Sequence, residues 1–220
     1  DAGLIKNFRV GKMSIKEAFH KKLSKLNWRK SNIPLNQRHY INAEYYQKLH
    51  ERQNSKYSEN NWLVGQEQFI LSCNPNSLIE LGFGNAQFLR NISNDVSQVM
   101  GIDWAISPHA KNLPENVSLK KADIMEIDLP ETDLLCSADV LEHFDTNQLE
   151  TLLPKLVKKS QFNFHIIACY DDGHSHLSVL NPNVWLSKFF QQSKDFYLKE
   201  VSLRNGKNNK EVCVVTNIPR

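Results

Sequence analysis

The chain has 220 residues, of which 40% are apolar, 10% aromatic and 23% charged, with a formal net charge of +3. That composition suits one soluble globular unit and excludes a disordered tail; no run approaches the roughly 18 consecutive apolar residues that a membrane-spanning helix needs. Cys73, Cys136, Cys169 and Cys213 are scattered without a Cys-x-x-Cys pair, which argues against a zinc ribbon or a disulfide framework and suits a reducing cytoplasm.

Along the chain, the first 75 residues read as helical and basic. No secretory leader is expected in Asp1 to Val10, and the lack of an initiating methionine at Asp1 allows a fragment of a longer chain. Residues 1–60 hold 13 Lys+Arg against 5 Asp+Glu, although the chain as a whole is almost balanced. Such a basic third is either a solvated helical face or the docking surface of an anionic partner. Ser14 caps a first helix with Ile15, Ala18, Phe19, Leu23 and Leu26 at helical spacing, and Pro34 breaks it. A second helix is expected over Asn42 to Arg52 and a third from Asn61 to about Ser72, before the turn at Cys73-Asn74-Pro75-Asn76.

From Ser77 the period changes to strands alternating with helices. Strands are expected at Ser77–Leu81, Val99–Asp103, Val117–Lys120, Asp133–Ser137 and Phe162–Cys169. Helices are expected over Gln87–Ile92, Asn147–Lys158 and from Pro182 through Phe190. The end reads as a hairpin, Phe196–Leu203 and Glu211–Thr216, turning at Asn205-Gly206. The fold class is therefore α/β: a three-layer, doubly wound, mostly parallel sheet with a terminal antiparallel hairpin and an N-terminal helical extension. Residues 1–75 form the basic cap and residues 76–220 the main domain.

The chemistry concentrates at strand ends. Ile79-Glu80-Leu81-Gly82-Phe83-Gly84-Asn85-Ala86 carries a strand into a tight glycine bend followed by a helix, a turn whose backbone can approach a ligand closely. Glu80 precedes the first glycine by two residues, where a carboxylate would repel a pyrophosphate and can hold the loop or face a ligand ammonium. Asp103 ends the next strand, the placement used for gripping ribose hydroxyls in doubly wound folds. Asp123 follows the third strand, where a carboxylate can accept from an adenine amino group.

These segments resemble class I S-adenosylmethionine-dependent methyltransferases, by motif over Ser77 to Phe144 and by element order to Thr216. That family's first motif is an acid followed by Gly-x-Gly-x-Gly; Ala86 replaces the last glycine. The resemblance implies S-adenosylmethionine as cofactor, Asp103 on the ribose diol, Trp104 against adenine, and Asp123 with Ile124 on the adenine edge. It implies that Asp139, opening Asp139-Val140-Leu141-Glu142-His143, lies beside the methionine moiety, together with Glu80, Gly82 and Gly84. A nicotinamide oxidoreductase is the rival use of such a turn, but its third glycine is Gln87 here. A domain that keeps the fold without catalysis is a further alternative.

Methyl transfer to a hydroxyl needs a base, and His176, His174 and His143 are the candidates, the first two in the loop after the fifth strand. Asp171, Asp172, His174 and His176 have ligand types for a divalent ion, but such alternation is common in polar loops and no metal is expected. His165 reads as a core residue; Trp62 and Trp185 have two readings, lining the cleft or packing in the core, and the core is favoured for both. The run from Asp172 to Leu186 resembles a segment of bacterial surface-polysaccharide methyltransferases. It implies a sugar or glycan acceptor, and the basic N-terminal third suits an anionic one; a nucleic acid or another small molecule is the alternative, and the oligomeric state is not legible.

Overall fold

The computed structural model describes residues 32–51, 61–206 and 210–220, so the helix expected after Ser14 lies outside it. Seven strands, β1 (Ser77–Leu81), β2 (Gln98–Asp103), β3 (Val117–Lys121), β4 (Thr132–Ala138), β5 (Ser160–Ala168), β6 (Tyr197–Leu203) and β7 (Glu211–Thr216), make one sheet in the order β3-β2-β1-β4-β5-β7-β6. The first five pair in parallel, while β7 inserts antiparallel between β5 and β6. Helices α1 (Leu35–Arg38), α2 (Ala43–Glu51), α3 (Glu67–Leu71), α4 (Gln87–Ile92), α5 (Thr146–Lys159) and α6 (Pro182–Phe190), with short 3-10 turns at Leu141–His143 and Arg204–Gly206, complete the described elements. No helix among the described residues is long and apolar enough to cross a membrane.

Alternation along the strands builds two cores. Ile79 and Leu81 of β1 and Leu135 of β4 face Leu149, Leu152, Leu153 and Leu156 of α5, with Trp185 and Phe189 of α6. Leu78, Leu134 and Cys136 face the opposite way, against Ile70, Phe88, Leu89 and Ile92. Each buried leucine contributes about 1.5–3 kcal/mol. The α5 start is set by Asp145, which accepts from the Gln148 N–H while the Gln148 side chain accepts from the Asp145 N–H. His165 is a core residue as expected, fully buried, with Nδ1 2.8 Å from Ser137 Oγ and its ring stacked on Phe189.

The third helix is shorter than its apolar spacing suggests. Residues 62–65 are turns and only Glu67–Leu71 is helical. Asn61 Oδ1 accepts the Leu63 N–H at 3.0 Å, and Gly65 has φ +93°, so the local bonds favour a turn over a helix start. Residues 33–49 carry a small apolar cluster of their own, Ile33, Ile41, Tyr45 and Leu49.

One consequence of the strand order positions the site. β1 lies between β2 and β4, so connections leave it in both directions and a crevice opens beyond the carboxyl ends. Leu81 is in register with Ile102 and with Ser137, which brings the loops after β1, β2 and β4 to one place.

Candidate active site

The glycine bend follows directly from β1. Gly82 and Gly84 have φ +69° and +52°, a region that side-chain-bearing residues enter at a cost. Their surroundings differ. A Cβ on Gly82 would lie 2.4 Å from Val140 Cγ2, so this glycine is needed for the loops after β1 and β4 to meet. A Cβ on Gly84 would meet nothing within 4 Å, so this one keeps an open floor. Ala86, standing where the third family glycine falls, is itself left-handed at φ 59°.

Asp103 joins two strand tips: Oδ2 accepts the Gly84 N–H at 3.1 Å and Oδ1 accepts the Ala105 N–H at 3.1 Å. Burial raises its pKa, opposed by His50 and by these backbone N–H groups. Glu80 is 1% exposed; Asn61 Nδ2 donates to its Oε1 at 3.0 Å, Oε2 has no partner, and burial holds its pKa well above the carboxylate range. It is a buried carboxyl behind the loop rather than part of the cavity wall.

After β3 the wall is made by Ala122 and Ile124. The expected Asp123 carboxylate is absent from it, because Oδ1 accepts the Met125 N–H at 2.8 Å and closes a local turn. Ala122 and Ile124 on either side, not the acid, line the space.

At the tip of β4, Asp139 is left-handed, with φ 54°. Both of its oxygens are bound by the Arg204 guanidinium, which reaches over from the β6–β7 connection. That guanidinium lies 4.2 Å from the Trp62 ring centre, and the partly buried Trp62 both lines the cavity and packs against the core, whereas Trp185 is fully buried. Arg204 carries no sequence signal, because it arrives from a distant segment.

The loop after β5 brings in the histidines. Asp172 Oδ1 accepts the N–H groups of His174, Ser175 and His176 at 2.8, 2.8 and 3.1 Å. Partial burial works against its charge, but His176 and these N–H groups bring its pKa below the usual carboxylate range. Arg38 of α1, itself buried, clamps the loop, donating to Asp171 Oδ1 and to the His176 carbonyl, each at 2.7 Å. Asp171 is held by Arg38, Asp172 by the backbone and His174 Nε2 by the Tyr45 hydroxyl; of the four, only His176 falls in a cluster of ligand-type side chains among the described residues.

His143 and His176 do converge. Their rings stand edge to face with centroids 5.1 Å apart. His143 Nδ1 lies 3.2 Å from the Ser175 carbonyl and His176 Nδ1 lies 2.6 Å from the Tyr170 carbonyl. A carbonyl only accepts, so the proton of each neutral ring sits on Nδ1 and the Nε2 lone pair is left over. Burial and the neighbouring His176 lower the His143 pKa to about 4. Behind them Glu142 is fully buried, its Oε1 accepting the Ala168 N–H at 3.2 Å, its pKa pushed well up by burial.

A cavity of about 610 Å³ unites these parts. Gly82, Gly84, Asp103, Trp104, Ile124 and Asp139 line it, as do His143, His174 and His176. Tyr46 and His50 of α2 also face it, contributions from the N-terminal segment that no motif announced.

No protein-family model and no curated protein sequence matches the chain. Solved structures do. The N-methyltransferase NodS of Bradyrhizobium japonicum, crystallised with S-adenosylhomocysteine, superposes with TM-score 0.58 at 14% identity, over 82% of this chain and all of that one. The 1,6-didemethyltoxoflavin-N1-methyltransferase of Burkholderia thailandensis gives 0.57 at 14%, over 80% and 89% of the two chains. The N-terminal domain of EvdMO1, determined with S-adenosylhomocysteine and D-fucose, gives 0.54 at 15%, over 74% and 84%. The chain therefore has the class I S-adenosylmethionine-dependent methyltransferase fold.

Proposed function

We propose that this cleft binds S-adenosylmethionine and methylates a hydroxyl of an anionic sugar or glycan. The observation that carries the first half is the Gly84–Asp103 link beside an open glycine floor: it places a carboxylate and a Cβ-free bend on one cavity wall. The space, about 610 Å³, has room for an adenosine-sized ligand together with an acceptor. Asp103 would hold the ribose diol, Trp104 and Ile124 would enclose the adenine, and Gly82, Gly84 and Asp139 would border the methionine part. When bound, the cofactor supplies an electrophilic sulfonium methyl group.

The chain's own residues have two further tasks. Orientation of the acceptor falls to the cap: Tyr46 and His50 cover the cavity from α2, and Arg38 fixes the histidine loop beneath it. Removal of the hydroxyl proton falls to the corner where His143 and His176 leave their Nε2 lone pairs, since His174 is engaged by Tyr45. An anionic sugar suits Lys210, which also lines the cavity. The run from Asp172 to Leu186 and the structural likeness to a domain determined with D-fucose support the same acceptor class. A role in polysaccharide biosynthesis in the cytoplasm follows for this reading, and the free state of Cys73, Cys136, Cys169 and Cys213 suits it.

Calorimetric titration with S-adenosylmethionine and S-adenosylhomocysteine tests the cofactor, and label transfer to uronic acids, phosphorylated hexoses, amines and oligonucleotides tests the acceptor. Saturable cofactor binding with label on an acidic sugar is the expected result. Absence of binding by both cofactor forms would overturn the reading, and label on nucleic acid alone would replace the acceptor.

A further inference from the structure

Glu142 has no task in the reading just given. It is fully buried, one oxygen accepts the Ala168 N–H, and the other has no partner. A buried carboxyl with an orphaned oxygen is destabilising unless something meets it. Its Oε1 lies 3.8 Å from His176 Nε2, and Asp172 Oδ2 lies 3.9 Å from the same nitrogen. One ligand atom from each of Glu142, His143 and His176 falls within 4.8 Å of the others.

We propose that Glu142, His143 and His176 form a binding site for a divalent transition-metal cation. Two imidazoles and one carboxylate are a donor set for zinc, iron or manganese, with positions left open for exchangeable ligands. The supporting bonds are those such a site needs. Each imidazole is oriented by a carbonyl on Nδ1, which leaves Nε2 as the donor atom. The three residues also come from elements already locked together, because the Glu142 carbonyl accepts the N–H groups of Leu177 and Ser178 at 2.9 and 3.0 Å. Metal–ligand bonds of roughly 2.1 Å require donor atoms closer to one another than they are now, so the corner must contract by about 1 Å around the ion. The cation face opens on the cavity, since His143 and His176 line it. The remaining coordination positions would take water or the hydroxyl or carboxylate oxygens of the acceptor. In that case the corner acidifies a hydroxyl by coordinating it rather than by accepting its proton on nitrogen. Only this last role rests on the methyl-transfer reading; the ion site itself does not.

The untagged full chain, stripped with chelator, is titrated with Co(II) and read by visible absorption and calorimetry. The expected result is one equivalent bound at micromolar or tighter affinity, displaced by Zn(II). Glu142→Gln and His176→Gln should each weaken binding at least 10-fold, with folding of each checked by circular dichroism. His109→Ala, at an exposed position, should retain it. No saturable binding up to millimolar Co(II), or binding by both corner variants as tight as that of the unchanged protein, would overturn the site. S-adenosylhomocysteine titrated in parallel separates the two proposals. Its binding without Co(II) binding removes the ion site alone, and Co(II) binding without it removes methyl transfer and leaves the ion site standing.

Discussion

Arg204 binds both carboxylate oxygens of Asp139 across 65 positions of sequence, fastening the β6–β7 connection to the tip of β4. The Arg204 side chain is 8% exposed and that of Asp139 27%, so the pair is neither a surface bridge nor fully dry. Arg204→Ala leaves Asp139 unpaired on a left-handed backbone. A loss of about 1–3 kcal/mol is expected, below the cost of breaking a wholly buried pair because water reaches the carboxylate. Denaturant unfolding measures it. A loss under a few tenths would show that the contact contributes nothing.

Gly82 and Gly84 should respond differently to the same methyl group. Gly84→Ala meets open space, so stability falls only by the left-handed penalty of about 1–2 kcal/mol. The methyl stands at the cavity floor, and affinity for S-adenosylhomocysteine should drop at least 10-fold. Gly82→Ala adds a 2.4 Å overlap with Val140 Cγ2 to the same penalty. It should cost more stability than Gly84→Ala, and thermal melts of the two variants together with calorimetry decide the order.

His165 should make stability acid-sensitive. Burial lowers its pKa from about 6.5 to about 3, so below the higher value the unfolded chain binds a proton that the folded chain refuses. Its contribution is complete above about pH 6.5 and is lost as pH falls toward 3, at about 1.4 kcal/mol per pH unit. In His165→Gln the curve of unfolding free energy against pH should be flatter by that slope between pH ~6 and ~4. Identical slopes for the two proteins would contradict the burial argument.

Glu80 has the opposite sign. Burial raises its pKa, so the folded chain keeps a proton that the unfolded chain releases above its ordinary value of 4.5. The stability it contributes is present below that value and is lost as pH rises toward the folded pKa. Glu80→Gln keeps an acceptor for Asn61 and removes the titration. Relative to the unchanged protein the variant should gain with pH, by up to about 1.4 kcal/mol per unit, until the folded pKa is passed. A pH-independent difference would show that Glu80 ionises normally.

Asp103→Ala removes the acceptor of the Gly84 and Ala105 N–H groups as well as the carboxylate on the cavity wall. Affinity for S-adenosylhomocysteine should fall 10- to 100-fold, and Asp103→Asn, which keeps one acceptor oxygen, should lose less. Equal affinities in all three proteins would remove Asp103 from the site.

Much of this architecture is local and therefore legible from residue order. Ser77–Leu81, Gln87–Ile92, Pro182–Phe190 and Glu211–Thr216 coincide with their expected bounds, since apolar spacing, an N-terminal proline and strand alternation act within a few residues. The Asn61–Ser72 helix is not what apolar spacing alone suggests, because side-chain bonds from Asn61 and the left-handed Gly65 override it.

The chain order of strands, the acid-led glycine bend and the carboxylate ending β2 were determined by the sequence alone, because each depends on near neighbours and on which face of a strand a residue occupies. What the individual polar groups do was decided by the tertiary structure. Asp139 meets Arg204, Arg38 holds the histidine loop, and the adjacent Glu142 and His143 meet His176 only after β4 and β5 lie side by side. Hydrogen bonds and ion pairs act over about 3–4 Å, and groups separated by tens of residues come within that range only when the hydrophobic core has set the register of the strands carrying them.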